Sequence, residues 1–122
     1  MDFTGTSFIS KWKNGLLRIR ALQLEPNTFE LINIILDAAV KQGKFRIAWD
    51  LQHLESLSTF QFISIISPSI VIKHQIEAYV TKTSIIVPPK YANMMTKLLK
   101  YVGPRTPYYV GSSAIEGKQF VS

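Results

Sequence analysis

The sequence predicts an α/β domain built on a mixed β-sheet of about five strands, in the order β-β-α-β-α-β-α-β. Three observations predict it. An Asn14-Gly15 pair sits between two apolar runs, several segments alternate apolar and polar residues, and the stretches between them repeat apolar residues every three or four positions. Strands alternating with helices call for a mainly parallel sheet with right-handed crossovers. The hairpin at the start makes that sheet mixed.

The hairpin strands are residues 8–13 and 16–22, because both residues of an Asn-Gly pair tolerate the positive φ of a type I′ turn. Pro26-Asn27-Thr28-Phe29-Glu30 then opens a helix, with Asn27 as its cap and Glu30 reaching back three residues later. Phe29, Ile32, Leu36 and Val40, with Ile35 and Ala39 alongside, form its apolar face, and Gly43 stops it. Phe45, Ile47, Trp49 and Leu51 alternate with Arg46, Ala48 and Asp50, which marks a strand. After a loop over 52–57, Ser58-Thr59-Phe60-Gln61 forms a second capping-box pattern, with Ser58 as N-cap and Gln61 at N3.

The helix opened by Ser58 runs towards Tyr79 and is kinked or split at Pro68. Residues 83–87 make a short β-branched strand ended by Pro88-Pro89. Tyr91, Met94, Met95, Leu98, Leu99 and Val102 then form the cleanest helical stripe in the chain, with Lys90, Lys97 and Lys100 on the other face. Gly103-Pro104 closes that helix, and Tyr108-Tyr109-Val110 is the last strand. Residues 1–110 therefore read as one domain, and 111–122 as a polar C-terminal tail, open to disorder.

A length of 122 residues suits one domain, and a hydrophobic fraction of 47% supplies a core. The absence of cysteine excludes a disulfide scaffold, a thiolate metal site and a cysteine nucleophile. It also suits a cytoplasmic location, as does an N-terminus without a basic segment followed by an apolar run. The most apolar stretch, residues 60–72, is interrupted by serines, Gln61 and Pro68 and falls short of the roughly 20 residues a membrane span needs. The net charge of +6 is unevenly placed. Residues 1–72 carry seven basic and six acidic groups, whereas 73–122 carry seven basic groups against Glu77 and Glu116 alone. Such a basic half steers towards nucleic acid, anionic lipid or an acidic protein, or is an ordinary solvated surface.

Little in the chain supports catalysis, so the expectation is a non-enzymatic protein with no cofactor and no metal. Asp50, His53 and Glu55 have ligand chemistry, but their spacing matches no established metal motif, and His53 reads as a solvated loop residue. His74 precedes Glu77 by three residues on a helix, which makes a surface pair. The glycines are scattered singly, so no phosphate-cradling loop is present. A basic surface of Lys90, Lys97, Lys100 and Arg105, interleaved with Tyr91, Tyr101, Tyr108 and Tyr109, has the composition for stacking and phosphate contacts. The helical stripe sends Tyr91 and the lysines to opposite sides, however, and nucleic acid ranks below a protein partner.

The strand Phe45-Arg46-Ile47-Ala48-Trp49-Asp50-Leu51, followed by Leu54-Glu55-Ser56-Leu57-Ser58-Thr59-Phe60 in this element order, resembles the STAS domain. That family includes bacterial anti-sigma-factor antagonists and the cytoplasmic tails of sulfate transporters. Its members carry an apolar strand ending in Asp-Leu, a short loop, and an Asp-Ser-(Ser/Thr)-Gly turn that opens the next helix. Asp50-Leu51 matches the strand end, Ser58-Thr59 falls at the Asp-Ser position, and Gln61 replaces the glycine. The resemblance spans roughly residues 8–110. It implies helices packed mainly on one face of the sheet and a binding surface near the start of the helix opened by Ser58. On it, the partner-binding residues are His53, Glu55, Ser58, Thr59 and Gln61. It also implies phosphorylation by a partner kinase, at Thr59 by position or at its neighbour Ser58.

The leading expectation is thus a STAS-like protein-interaction module whose partner is a regulatory, kinase-like protein. A structural subunit, assembled with neighbours or with further copies of itself, is the second. A basic surface for nucleic acid or anionic lipid is the third, and it requires salt-dependent binding.

Overall fold

The computed structural model describes residues 1–23, 25–54, 56–58, 61–62 and 76–122. Its strands are β1 (Phe3–Thr4), β2 (Phe8–Lys13), β3 (Leu16–Ala21), β4 (Phe45–Asp50), β5 (Val80–Ile86) and β6 (Tyr108–Gly111). They form one six-stranded sheet in chain order. β1, β2 and β3 pair antiparallel, and β3, β4, β5 and β6 pair parallel. The mixed α/β sheet read from the sequence is therefore present. Its sixth strand is β1, only two residues long and too short for any periodicity to reveal. It is held by the pairs Phe3↔Ser10 and Thr4↔Ile9 and by the Phe3 ring stacked on Phe8 at 4.8 Å.

The β2–β3 turn is built as the dipeptide demands. Asn14 has φ 53° and Gly15 φ 74°, and this turn sets Lys11 opposite Arg18 and Trp12 opposite Leu17. Strand alternation then places Leu17, Ile19, Phe45 and Ile47 on one face, all buried. Helix α1 (Thr28–Lys41) packs Ile32, Ile35, Leu36 and Ala39 on that face, forming one core with Phe8 and Val80. Each such fully buried side chain stabilises the fold by about 1.5–3 kcal/mol relative to exposure.

The start of α1 corrects one expectation. Asn27 makes no side-chain cap bond; instead the Thr28 hydroxyl accepts the Glu25 N–H at 2.9 Å. The stop is as expected, with Gly43 at φ 101°, a conformation that favours glycine. β5 begins at Val80, three residues earlier than the β-branched run suggests, because Val80 pairs with Phe45 across a register irregularity.

Helix α2 (Ala92–Val102) follows a 3₁₀ turn over Pro89–Tyr91. Its stripe faces inward as the spacing predicts, with Tyr91, Met95 and Leu99 buried against Leu51, Leu54, Phe62 and Val87. The Phe62 and Tyr91 rings stack at 4.1 Å. At its end, the Gly103 N–H donates to the Leu99 carbonyl at 2.8 Å, and a Cβ on Gly103 would fall 2.2 Å from that oxygen.

The polar tail expected over 111–122 is instead structured. Gly111 completes β6, and helix α3 (Ala114–Val121) packs on the opposite face of the sheet, across β4, β5 and β6. Ser113 caps it by accepting the Glu116 N–H at 3.2 Å. Gly117 brings the helix close enough to touch Ser84 and Ile86, and Val121 is buried. The Arg46 guanidinium bridges the Val121 carbonyl and the Asn14 carbonyl, the latter at 2.6 Å. Among the described residues, helices α1 and α2 thus pack on one face and α3 on part of the other. The helix predicted between β4 and β5, with its Pro68 break, lies outside the described residues apart from its opening turn. Among the described residues no helix is long and apolar enough to cross a membrane.

Candidate functional site

In parallel sheets the carboxyl ends of the strands are where loops gather and ligands bind. Here β4 ends at Asp50, whose carboxylate accepts the Gln52 N–H at 3.1 Å and turns the chain into a 3₁₀ turn over Gln52–Leu54. Leu54 is buried and anchors that turn, while Leu51 donates its N–H to the Ile86 carbonyl of β5 at 2.8 Å. His53, between these anchors, is exposed.

The chain then enters a reciprocal capping box. The Ser58 hydroxyl accepts the Gln61 N–H at 3.2 Å, and the Gln61 side-chain oxygen accepts the Ser58 N–H at 2.9 Å. The Phe62 N–H donates to the Ser58 carbonyl at 2.9 Å, so the turn is helical, and Phe62 is fully buried. Both capping residues remain exposed. Ser58 therefore serves as the helix cap, the role its position in the sequence predicts.

A second element fixes this loop from outside. The Leu57 carbonyl accepts the Tyr91 hydroxyl and also the Lys90 ammonium, the latter at 3.2 Å. The Lys90 ammonium lies 5.0 Å from the Tyr91 ring centroid. A shallow depression results, lined by Leu22, Gln23, His53, Leu54, Ser56, Leu57 and Gln61. It offers the His53 imidazole, the Gln23 and Gln61 carboxamides and the Ser56 hydroxyl, beside the Ser58 cap, a surface for hydrogen-bonded recognition. Of the sequence-predicted site residues, His53, Ser58 and Gln61 come together here; Glu55 and Thr59 lie outside the described residues. Lys90 and Tyr91, whose bonds to Leu57 span more than thirty residues of chain, and Gln23, which lines the depression from the end of the hairpin, are participants that no local pattern marks.

The predicted basic surface is spread out. Lys97 and Lys100 lie on the exposed side of α2, while Lys90 is turned towards Leu57. At 1.5 Å per residue, Lys90 and Lys100 stand about 15 Å apart along the helix direction. Arg105 follows the helix in a loop, where its backbone N–H donates to the Glu77 carboxylate at 3.1 Å. These four cations form no single cluster with the tyrosines: Tyr91 is buried, Tyr101 is exposed, and Tyr108 packs against the second core.

Between α1, α2 and the sheet lies an apolar cavity of about 90 Å³, lined among others by Ile32, Ile47, Trp49, Ile85 and Leu99. Pockets that hold small molecules measure roughly 300–1,000 Å³. Among the described residues no group of three His, Asp or Glu side chains is placed to hold a metal ion. No family model, curated protein or solved structure matches the chain.

Proposed function

We propose that the chain is a non-catalytic, STAS-like protein-interaction module acting in the cytoplasm, which docks a regulatory partner through the loop after β4. The observation that carries this reading is the reciprocal Ser58–Gln61 capping pair, with Leu57 held from α2 by Lys90 and Tyr91. Prior ordering of a loop lowers the entropy lost on binding, and this loop presents His53, Ser58 and Gln61 to solvent in one arrangement. The mixed sheet with α1 and α2 on one face is also the architecture that the STAS resemblance implies.

Phosphorylation at Thr59 or Ser58 is part of the same proposal. It adds about two negative charges at the start of the helix opened by Ser58, and so changes the surface the partner meets. On Ser58 it also substitutes the hydroxyl that accepts the Gln61 N–H.

The test is capture of protein partners from the source cell at moderate salt by the wild type and by His53→Ala, Gln61→Ala and Ser58→Asp. Interface residues that matter cost more than about 1 kcal/mol when truncated, so each alanine variant is expected to retain at most about a fifth of the bound partner. The melting temperature of His53→Ala is expected to stay at the wild-type value, because this side chain is exposed. Equal capture by all four proteins would move the docking site elsewhere.

A further inference from the structure

The N-terminal half has a near-neutral charge count, but the fold sorts that charge by side. On the face opposite α1, strand alternation sets Lys11 and Lys13 of β2 beside Arg18 and Arg20 of β3, and all four are exposed. Lys11 is directly opposite Arg18, while Lys11–Arg20 and Lys13–Arg18 are diagonal neighbours. Facing residues in such a ladder lie about 4.5–5.5 Å apart and diagonal ones about 7–8 Å, so the four cations form one slanted row, Lys13–Arg18–Lys11–Arg20, in which Lys13 faces Leu16 and Arg20 faces Ile9. The acidic side chains Glu30 and Asp37 are exposed on α1, which covers the other face.

Two carboxylates lie near this row; one offsets the charge at its Arg20 end, and the other is engaged by a backbone N–H. Asp50 pairs with Arg20 at 3.4 Å, and Asp2 accepts the Trp12 N–H at 2.7 Å. Among the described residues helix α3 packs mainly on the β4–β6 part of this face, and Lys11, Lys13, Arg18 and Arg20 on β2 and β3 are exposed.

Like charges set directly opposite one another destabilise a sheet. An anion with many charges relieves that repulsion. We propose that this open face of β2 and β3 binds the phosphate backbone of duplex nucleic acid, without reading its sequence, through Lys11, Lys13, Arg18 and Arg20.

The chemistry of the face selects this occupant. A protein partner is gripped by buried aromatic or aliphatic anchors, and an anionic bilayer by an apolar wedge. Among the described residues the exposed large apolar side chains, Ile34, Tyr79, Tyr101 and Ile115, all lie off the β2–β3 strands, and on this face Leu16 is buried and Ile9 half-buried. With no aromatic ring there to stack on bases, single strands gain nothing over a duplex. β2 and β3 are held within a six-stranded sheet, broader than the two-stranded ribbon a major groove admits, so contact stays with phosphates. This surface is separate from the loop after β4 and from the lysines of α2.

The test measures binding of the full chain to fluorescent 30-base-pair duplexes of two unrelated sequences, with salt raised stepwise from 20 mM. Four phosphate contacts predict a slope of about −3.6 in log K against log salt, from about −0.9 per contact on duplex DNA, with equal affinity for both sequences. The triple variant Lys11→Ala, Lys13→Ala, Arg18→Ala is expected to flatten the slope to about −1, with a melting temperature at or above the wild type. Lys97→Ala with Lys100→Ala is expected to leave the slope unchanged. Absence of binding at 20 mM salt, a tighter grip on vesicles rich in phosphatidylserine than on the duplexes, or a slope that responds only to the α2 variant would each overturn the proposal.

Discussion

Gly15 and Gly117 are needed for different physical reasons, and each yields a measurable cost. Gly15 sits at φ 74°, where a side chain strains the backbone. Gly15→Ala is expected to lower stability by about 1 kcal/mol in urea unfolding, the cost of a Cβ in the left-handed region. Gly117 is a matter of space: a Cβ there would lie 2.6 Å from the Ser84 hydroxyl and 2.8 Å from Ile86. Helix propensity favours alanine by up to about 1 kcal/mol, but overpacking costs about 1–3 kcal/mol, so Gly117→Ala is expected to destabilise on balance. The Ser84 hydroxyl is buried with no hydrogen-bond partner among the described residues. Ser84→Ala removes the hydroxyl contact and that unsatisfied group but leaves the Ile86 contact, so in the Gly117→Ala background it is expected to restore part of the lost stability. The turn glycine is readable from its Asn-Gly context. The helical one is not, because its neighbours come from a strand some thirty residues earlier.

At the scale of elements, legibility follows how local the determining interaction is. The Ser58–Gln61 capping box, the α2 stripe and the β2–β3 hairpin are all specified within a few residues, and each forms as its pattern predicts. At the start of α1 the side-chain bond is made by the Thr28 hydroxyl, which accepts the Glu25 N–H, while Asn27 contributes only its carbonyl, which accepts the Leu31 N–H. Helix α3 is hidden for a stronger reason. Its hold on the sheet uses a glycine and two backbone carbonyls, of Phe120 and Val121, taken by Lys82 and Arg46. None of this registers as apolar periodicity. Ser58→Ala is expected to cost about 1 kcal/mol and to raise amide exchange at Gln61, while Ser58→Asp, which keeps an acceptor at the cap, is expected to leave both near wild type. Arg46→Ala is expected to speed amide exchange across α3 before it alters that of β3 or β4, because it removes a bridge between the helix end and the hairpin turn.

For the whole molecule, the order of strands in the sheet is the order in the chain, which is why alternating strand and helix patterns suffice to give the fold class. The surface is harder to read. Counting charges shows a basic C-terminal half, yet its lysines spread along α2 while the balanced N-terminal half carries four clustered cations on one face. The loop after β4 falls between these cases: His53, Ser58 and Gln61 are marked by their place after a parallel strand, whereas Lys90 and Tyr91, which hold Leu57, are not. The central claim is that a protein partner sits on that loop. Its most direct test is photo-crosslinking in the source cell with a photoreactive residue at position 53 and, in a second protein, at position 97 on the outer side of α2. The account predicts one stoichiometric protein adduct at position 53, diminished when Gln61 is alanine, and none at position 97. Adducts at position 97 alone, or none at position 53 in a protein that remains folded, would contradict it.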